Sequence, residues 1–215
     1  MKKKICIVGT GGCGREALCC IIDAYGWQDC ERLHEEVVFM VSDSYFSESE
    51  VMGVPVIKRS EFEASLYNVV VAIGDPALRK NYIEKMPAET TFQTVIHPSA
   101  VLSKWIEIEE GAIIMAGCVL TCNIRIGKHV HLNRHTTIGH DCVLSDYFTT
   151  APAAVVSGNC HFGEGVYLGT NACVKQGITI ADNVIIGMGA VVTKPVEQAG
   201  TYVGNPLRKL EKKTK

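Results

Sequence analysis

No Cys-x-x-Cys pair occurs in this 215-residue chain, which argues against a zinc knuckle. No apolar run approaches the roughly 18 residues of a membrane span, which argues against a transmembrane helix. A formal net charge of −2 argues against a general nucleic-acid or membrane surface. The ten cysteines read as reduced thiols rather than a disulfide framework, because nothing resembles a secretory leader. Lys2-Lys3-Lys4 does precede the apolar Ile5-Cys6-Ile7-Val8, but that run stops after four residues at Gly9 and reads as a first strand. A cytoplasmic location is the expectation. The one basic cluster, Arg208-Lys209-Leu210-Glu211-Lys212-Lys213, is expected to be a frayed, solvated tail.

What the chain does have is a period of six. From Ile96 through Leu102, Ile108, Ile114 and Leu120 to Val192, seventeen consecutive sixth positions are apolar except Thr150. Four residues after each comes a small or β-branched residue, as at Ala112, Cys118, Val130, Cys142, Ala154 and Ala190. Cys118, Cys142 and Cys160 fall in this small column and should pack as small hydrophobes. One position earlier stand Gly111, Gly117, Asn123, Asn159, Gly165, Asn171, Gly177, Asn183 and Gly189, residue types that tolerate φ > 0. Such a pattern is neither helical nor alternating; it describes short strands joined by tight corners and stacked as a parallel β-helix. Three hexads close a triangular coil, giving an array about 27 Å long at ~4.8 Å per stacked strand. A purely structural β-helix would satisfy the period equally well, but would have no use for the domain in front.

That domain, expected over residues 1–94, opens with Lys4 to Val8 and Gly9-Thr10-Gly11-Gly12-Cys13-Gly14, a G-x-G-x-x-G between a strand and an amphipathic stretch from Arg15 to Tyr25. Apolar runs Val37 to Val41 and Val69 to Ile73 end at Ser42-Asp43 and Gly74-Asp75, and a helical pattern covers Ala77 to Met86. All three clusters therefore lie at the carboxyl ends of parallel strands, where open α/β sheets bind ligands. There is room for about one βαβαβ half, so a mononucleotide or its sugar conjugate fits better than a dinucleotide. An empty docking domain is the alternative.

The corner column departs from Gly or Asn at His129, His135, Asp141 and Tyr147, clustered where local rules give way to function. His140 stands beside Asp141 and should point outward; an imidazole with a neighbouring carboxylate is suited to proton transfer near neutrality.

The segment from Leu132 to Val143, the run Ala190-Val191-Val192-Thr193-Lys194, the ending Val203-Gly204-Asn205-Pro206 and the N-terminal glycine loop resemble bacterial hexapeptide-repeat sugar acetyltransferases of the sialic-acid O-acetyltransferase type. Within them the chain looks most like N-acetyltransferases of nucleotide-linked 4-amino-4,6-dideoxy sugars. The resemblance implies a Rossmann-like half-domain followed by a left-handed β-helix over 95–206, a basic tail at 207–215, and a cytoplasmic homotrimer making surface glycans. It implies that His140 is the general base and Asp141 its orienting carboxylate. It places a nucleotide sugar, UDP-linked by expectation, against Gly11, Gly12, Cys13, Ser42, Asp43 and Gly74, with Asn133 near the sugar. Acetyl-CoA falls near Thr149, Gly158, Thr170 and Met188, with no metal. The chain departs from the family pattern at Cys13, where His is usual, at Ser42-Asp43, where two acids are usual, and at Thr149, where some members carry a second His to contact the thioester carbonyl. Thr149 is expected to offer a hydroxyl in its place, and the Gly158 N–H to hold the oxyanion.

Rival readings are an O-acetyltransferase of sialic acid and a non-catalytic nucleotide-sugar module. A γ-class carbonic anhydrase would need a third metal-binding His beside His135 and His140, where the chain has Ser99. A nicotinamide oxidoreductase would need a second nucleotide-binding half.

Overall fold

A computed structural model describes residues 2–27 and 29–211. The chain opens with strand β1 (Lys4–Val8), helix α1 (Gly12–Tyr25), helix α2 (Cys30–Glu36) and strand β2 (Val37–Val41). Strands β3 (Glu50–Val51), β4 (Val54–Lys58) and β5 (Tyr67–Val71), helix α3 (Pro76–Ile83) and strand β6 (Thr91–Phe92) complete the first unit. The sheet order is β3-β4-β2-β1-β5-β6, parallel except for the β3–β4 hairpin. Beyond Lys4, β1 and β2 read as unbroken apolar runs because helices or the β-helix cover both faces of this sheet. The glycine loop is sterically required: a Cβ on Gly14 would lie 1.8 Å from the Gly9 carbonyl oxygen. α1 turns Ala17, Leu18 and Ile21 inward and stops at Gly26, whose φ of 66° lets its N–H reach the Ile22 carbonyl. α3 starts with Pro76 behind Asp75, whose carboxylate accepts the Leu78 N–H at 2.8 Å.

The β-helix begins with Val95–Ile96 and presents three flat faces. Face one carries His131–Leu132, Thr149–Thr150 and Tyr167–Leu168; face two carries Val119–Leu120, Thr137–Ile138 and Val155–Val156; face three carries Ile124–Ile126, Val143–Leu144 and His161–Phe162. Pairing is in register at eighteen residues, as in Ile113 with His131 and Thr137 with Val155. The inward column is sealed: Leu132, Cys142, Cys160, Leu168 and Ala172 are wholly buried. The nine cysteines with described side chains are free thiols, and burial pushes the Cys118 thiol up to about 11.

Positive φ holds at all four irregular corners, between 56° and 60° at His129, His135, Asp141 and Tyr147, and also at Ala153 (57°), a fifth position of the same column that is neither Gly nor Asn. Alanine has no polar atom to ease that conformation, so only the stacked strands hold it there. Thr150, the exception in the apolar column, is buried against Thr136, with hydroxyls 2.7 Å apart, and accepts the Asn133 N–H at 2.9 Å.

The basic tail needs correction. Arg208 and Lys209 pair antiparallel with Val203 and Tyr202, so the chain is ordered there by ladder hydrogen bonds; residues 212–215, including Lys212 and Lys213, lie outside the described residues. No described helix is long and apolar enough to cross a membrane.

Candidate active site

α1 packs on face one, where Ala17, Leu18 and Ile21 join Val95, Ile113 and Met115 in one core. Between the domains opens a cleft of about 600 Å³, walled by Gly12, Cys13 and Gly74 on one side and by Asn133, Thr149 and Tyr167 on the other. A second hollow of about 380 Å³ lies at the carboxyl ends of β1, β2 and β5, lined by Gly9, Thr10, Ser42, Tyr45 and Tyr82. The glycine loop runs between the two. An elongated ligand could place a planar ring in the smaller hollow, cross the loop by its phosphates and set a sugar in the cleft.

His140 and Asp141 occupy the edge between faces two and three, which is the edge opposite face one. His140 Nδ1 lies 2.7 Å from Asp141 Oδ2, and Asn123 Nδ2 donates to Asp141 Oδ1 at 3.1 Å. Those two hydrogen bonds, the imidazole's first, hold the Asp141 carboxyl below its ordinary value. With Nδ1 held by the carboxylate, Nε2 is the nitrogen left to move a proton. It stands over Gly158, one coil on, where a Cβ would lie only 2.5 Å away. The Gly158 N–H meets no acceptor among the described residues.

The fold also buries a cation that sequence reasoning missed. Arg79, on α3, is fully buried and crosses from one domain to the other. Its Nη1 donates to the Ile73 carbonyl (2.6 Å) and to His131 Nδ1 (3.3 Å). Nε donates to the His129 carbonyl (3.1 Å), and Nη2 donates to the Tyr147 carbonyl (2.8 Å) and Thr149 Oγ1 (2.6 Å). A guanidinium only donates, so His131 accepts at Nδ1 and carries its proton on Nε2. Burial, then the Arg79 charge, holds His131 well below the ordinary imidazole value. Two ion pairs brace the same junction, Glu16 with Arg134 and Lys80 with Glu164.

Residues 4–86 match the family model described as the PglD N-terminal domain, and residues 159–194 match the bacterial transferase hexapeptide model (six repeats). The chain is 31% identical over 216 residues to the GDP-perosamine N-acetyltransferase of Escherichia coli O157:H7, covering 96% of each. The chain belongs to the hexapeptide-repeat sugar acetyltransferases. The family's solved members share its architecture. PerB from Caulobacter crescentus, in complex with CoA and GDP-perosamine, superposes with a TM-score of 0.85 at 27% identity over 98% of this chain and 99% of that one. The acetyltransferase domain of PglB from Neisseria gonorrhoeae FA1090, in complex with acetyl coenzyme A, gives 0.86 at 28% identity over 98% and 100%. The β-helix is accordingly the left-handed one of this family, and the protein is an acetyltransferase.

Within one subunit the expected family residues divide into separate groups. Gly12, Cys13, Gly74, Asn133, Thr149 and Thr170 meet in the cleft, while Ser42 lines the smaller hollow. Gly11, at the N-terminus of α1, is exposed. Gly158 accompanies His140, and Met188 is exposed at a corner nearer the C-terminus. Two expectations change. The Thr149 hydroxyl is buried, accepting from Arg79 and donating to the Tyr147 carbonyl (3.1 Å), so it is not a free donor for a thioester. Asp43 lines neither cavity; it accepts the Ser60 N–H at 3.1 Å and so secures the turn behind Ser42, and hydrogen bonding from Ser60, its side chain first and then its N–H, holds the Asp43 pKa below the ordinary value.

Proposed function

We propose that the chain transfers the acetyl group of acetyl-CoA to the 4-amino group of a nucleotide-linked amino-dideoxy sugar in surface-glycan synthesis, working as a cytoplasmic homotrimer. One observation carries this reading. The ligand cleft lies on face one and the His140–Asp141 pair on the opposite edge, so a single subunit cannot bring them together; a neighbour's edge must face the cleft. The outer side of face two offers a surface for that contact, since Val101, Val119 and Val155 stand exposed in one stacked column. Closed threefold symmetry would present three equal sites.

In this scheme the amine attacks the thioester carbonyl while His140 Nε2 takes its proton, an effect worth about 10²–10⁴-fold. Asp141 keeps the imidazole in the tautomer that leaves Nε2 free, and Asn123 keeps Asp141 in place. The Gly158 N–H is suited to the developing oxyanion. Collapse of the tetrahedral intermediate expels the CoA thiolate, which takes up the proton held by His140, so no acyl-enzyme is needed.

The sequence reading expects a uracil nucleotide, whereas the substrate named for the Escherichia coli relative supports guanine. Acetylation assays with UDP- and GDP-linked 4-amino sugars against free sialic acid test both points. Faster turnover of free sialic acid would overturn the amine assignment, and a preference for UDP would restore uracil.

A further inference from the structure

Arg79 is a buried cation that makes no ion pair among the described residues. Its guanidinium donors go to neutral acceptors, and the nearby carboxylate of Asp75 is engaged in capping α3. Such a charge is costly unless something negative offsets it. Burial pulls its pKa down to about 10. The groups it grips are the cleft itself: Gly74, His131 and Thr149 all line it, and Arg79 Nη1 also approaches the Gly74 carbonyl. At the same cleft the 14-residue helix α1 begins with no side-chain cap and no acid in its first turn, which leaves its positive end open to that space. Two independent sources of positive potential therefore converge on one cavity.

We propose that Arg79 is a positioning residue for the acceptor substrate: it acts as buried counter-charge to the diphosphate while locking the cleft walls through Gly74, His131 and Thr149. The inference rests on the nucleotide-sugar reading above. It assigns Arg79 a share of the preference for nucleoside diphosphate over nucleoside, with the His140 chemistry untouched.

Calorimetry on the assembled full-length protein tests this with guanosine, GDP, UDP and inorganic pyrophosphate, for wild type, Arg79→Lys and Arg79→Gln. Wild type should prefer GDP to guanosine. Arg79→Gln should lose about tenfold of that ratio, whereas Arg79→Lys, which keeps the charge, should retain most of it. An undiminished ratio in Arg79→Gln overturns the proposal. If wild type binds neither GDP nor UDP, the functional reading itself fails, which is a different result. Should both variants fail to fold, arginine-labelled wild type supplies the test by NMR. The exchange-protected Nε–H of the buried guanidinium should shift with pyrophosphate and not with guanosine; no shift at saturating pyrophosphate overturns the proposal.

Discussion

Gly158→Ala isolates the position of the base from everything else in the fold. The backbone at Gly158 is not in the left-handed region, so alanine meets no conformational penalty, and the obstacle is the His140 ring. The added Cβ would stand 2.5 Å from Nε2, 2.6 Å from Cε1 and 2.8 Å from Cδ2. Since carbon contacts settle near 3.5 Å, the ring must retreat by about 1 Å. His140 is half exposed, so it can swing outward cheaply; the stability cost should stay near 0.5 kcal/mol, a melting shift of a few degrees at most. The same swing breaks or lengthens the 2.7 Å bond to Asp141 and carries Nε2 away from the acceptor nitrogen. A displacement of about 1 Å can cost about 10²-fold in turnover. Thiol release from acetyl-CoA with a nucleotide-linked 4-amino sugar reads kcat, and a thermal melt reads stability. In a His140→Ala background the second substitution should add almost nothing, because both remove one function. Unchanged kcat in Gly158→Ala with intact folding would refute the placement of the base.

His140→Ala should lower kcat by about 10²–10⁴-fold with little change in either KM, and Asp141→Asn should cost less; near-normal turnover without the imidazole would mean the base lies elsewhere. Asp43→Ala should release the turn held at Ser60 and raise KM for the nucleotide sugar while leaving that for acetyl-CoA alone, and equal weakening of both would count against a nucleotide role for that turn. His129 is buried, and burial lowers its pKa to about 4. The unfolded chain, with imidazole near 6.5, binds the proton first as pH falls, so stability is lost below about 6.5 and down through about 4. At pH 5 this amounts to about 2 kcal/mol, and His129→Asn, which tolerates the same φ, should flatten the dependence of melting temperature on pH by that share. Sedimentation at micromolar concentration should give three times the 23.4 kDa chain mass, and a monomer would exclude the shared site.

The β-helix was legible because its determinants are local and repeated. An inward aliphatic every six residues and a left-handed corner one place before each small residue impose the coil without reference to any distant segment. The pairing of His140 with Asp141 was legible for the same reason, since adjacent residues at a corner must share an edge. The column marks Ala153 as a corner by its place before Ala154, although a methyl group by itself carries no preference for positive φ; the stacked coils impose it. The β3–β4 hairpin and α2 were too short to stand out by periodicity.

Only the tertiary structure decided what the two domains do to each other. Arg79 reads in the chain as one more polar residue of an amphipathic helix, and nothing nearby announces that it will be buried against carbonyls 50 and 68 residues away. Thr149 reads as a hydroxyl facing outward from its coil, until α3 arrives to occupy it. Asp43 reads as a ligand group until Ser60 claims it. The sequence by itself determined which residues face into each coil and which stand at its edges, because that follows from backbone geometry repeated in register. Which edge meets a ligand, and which polar group is already engaged, depends on docking between segments with no common period. That information exists only once the domains are packed.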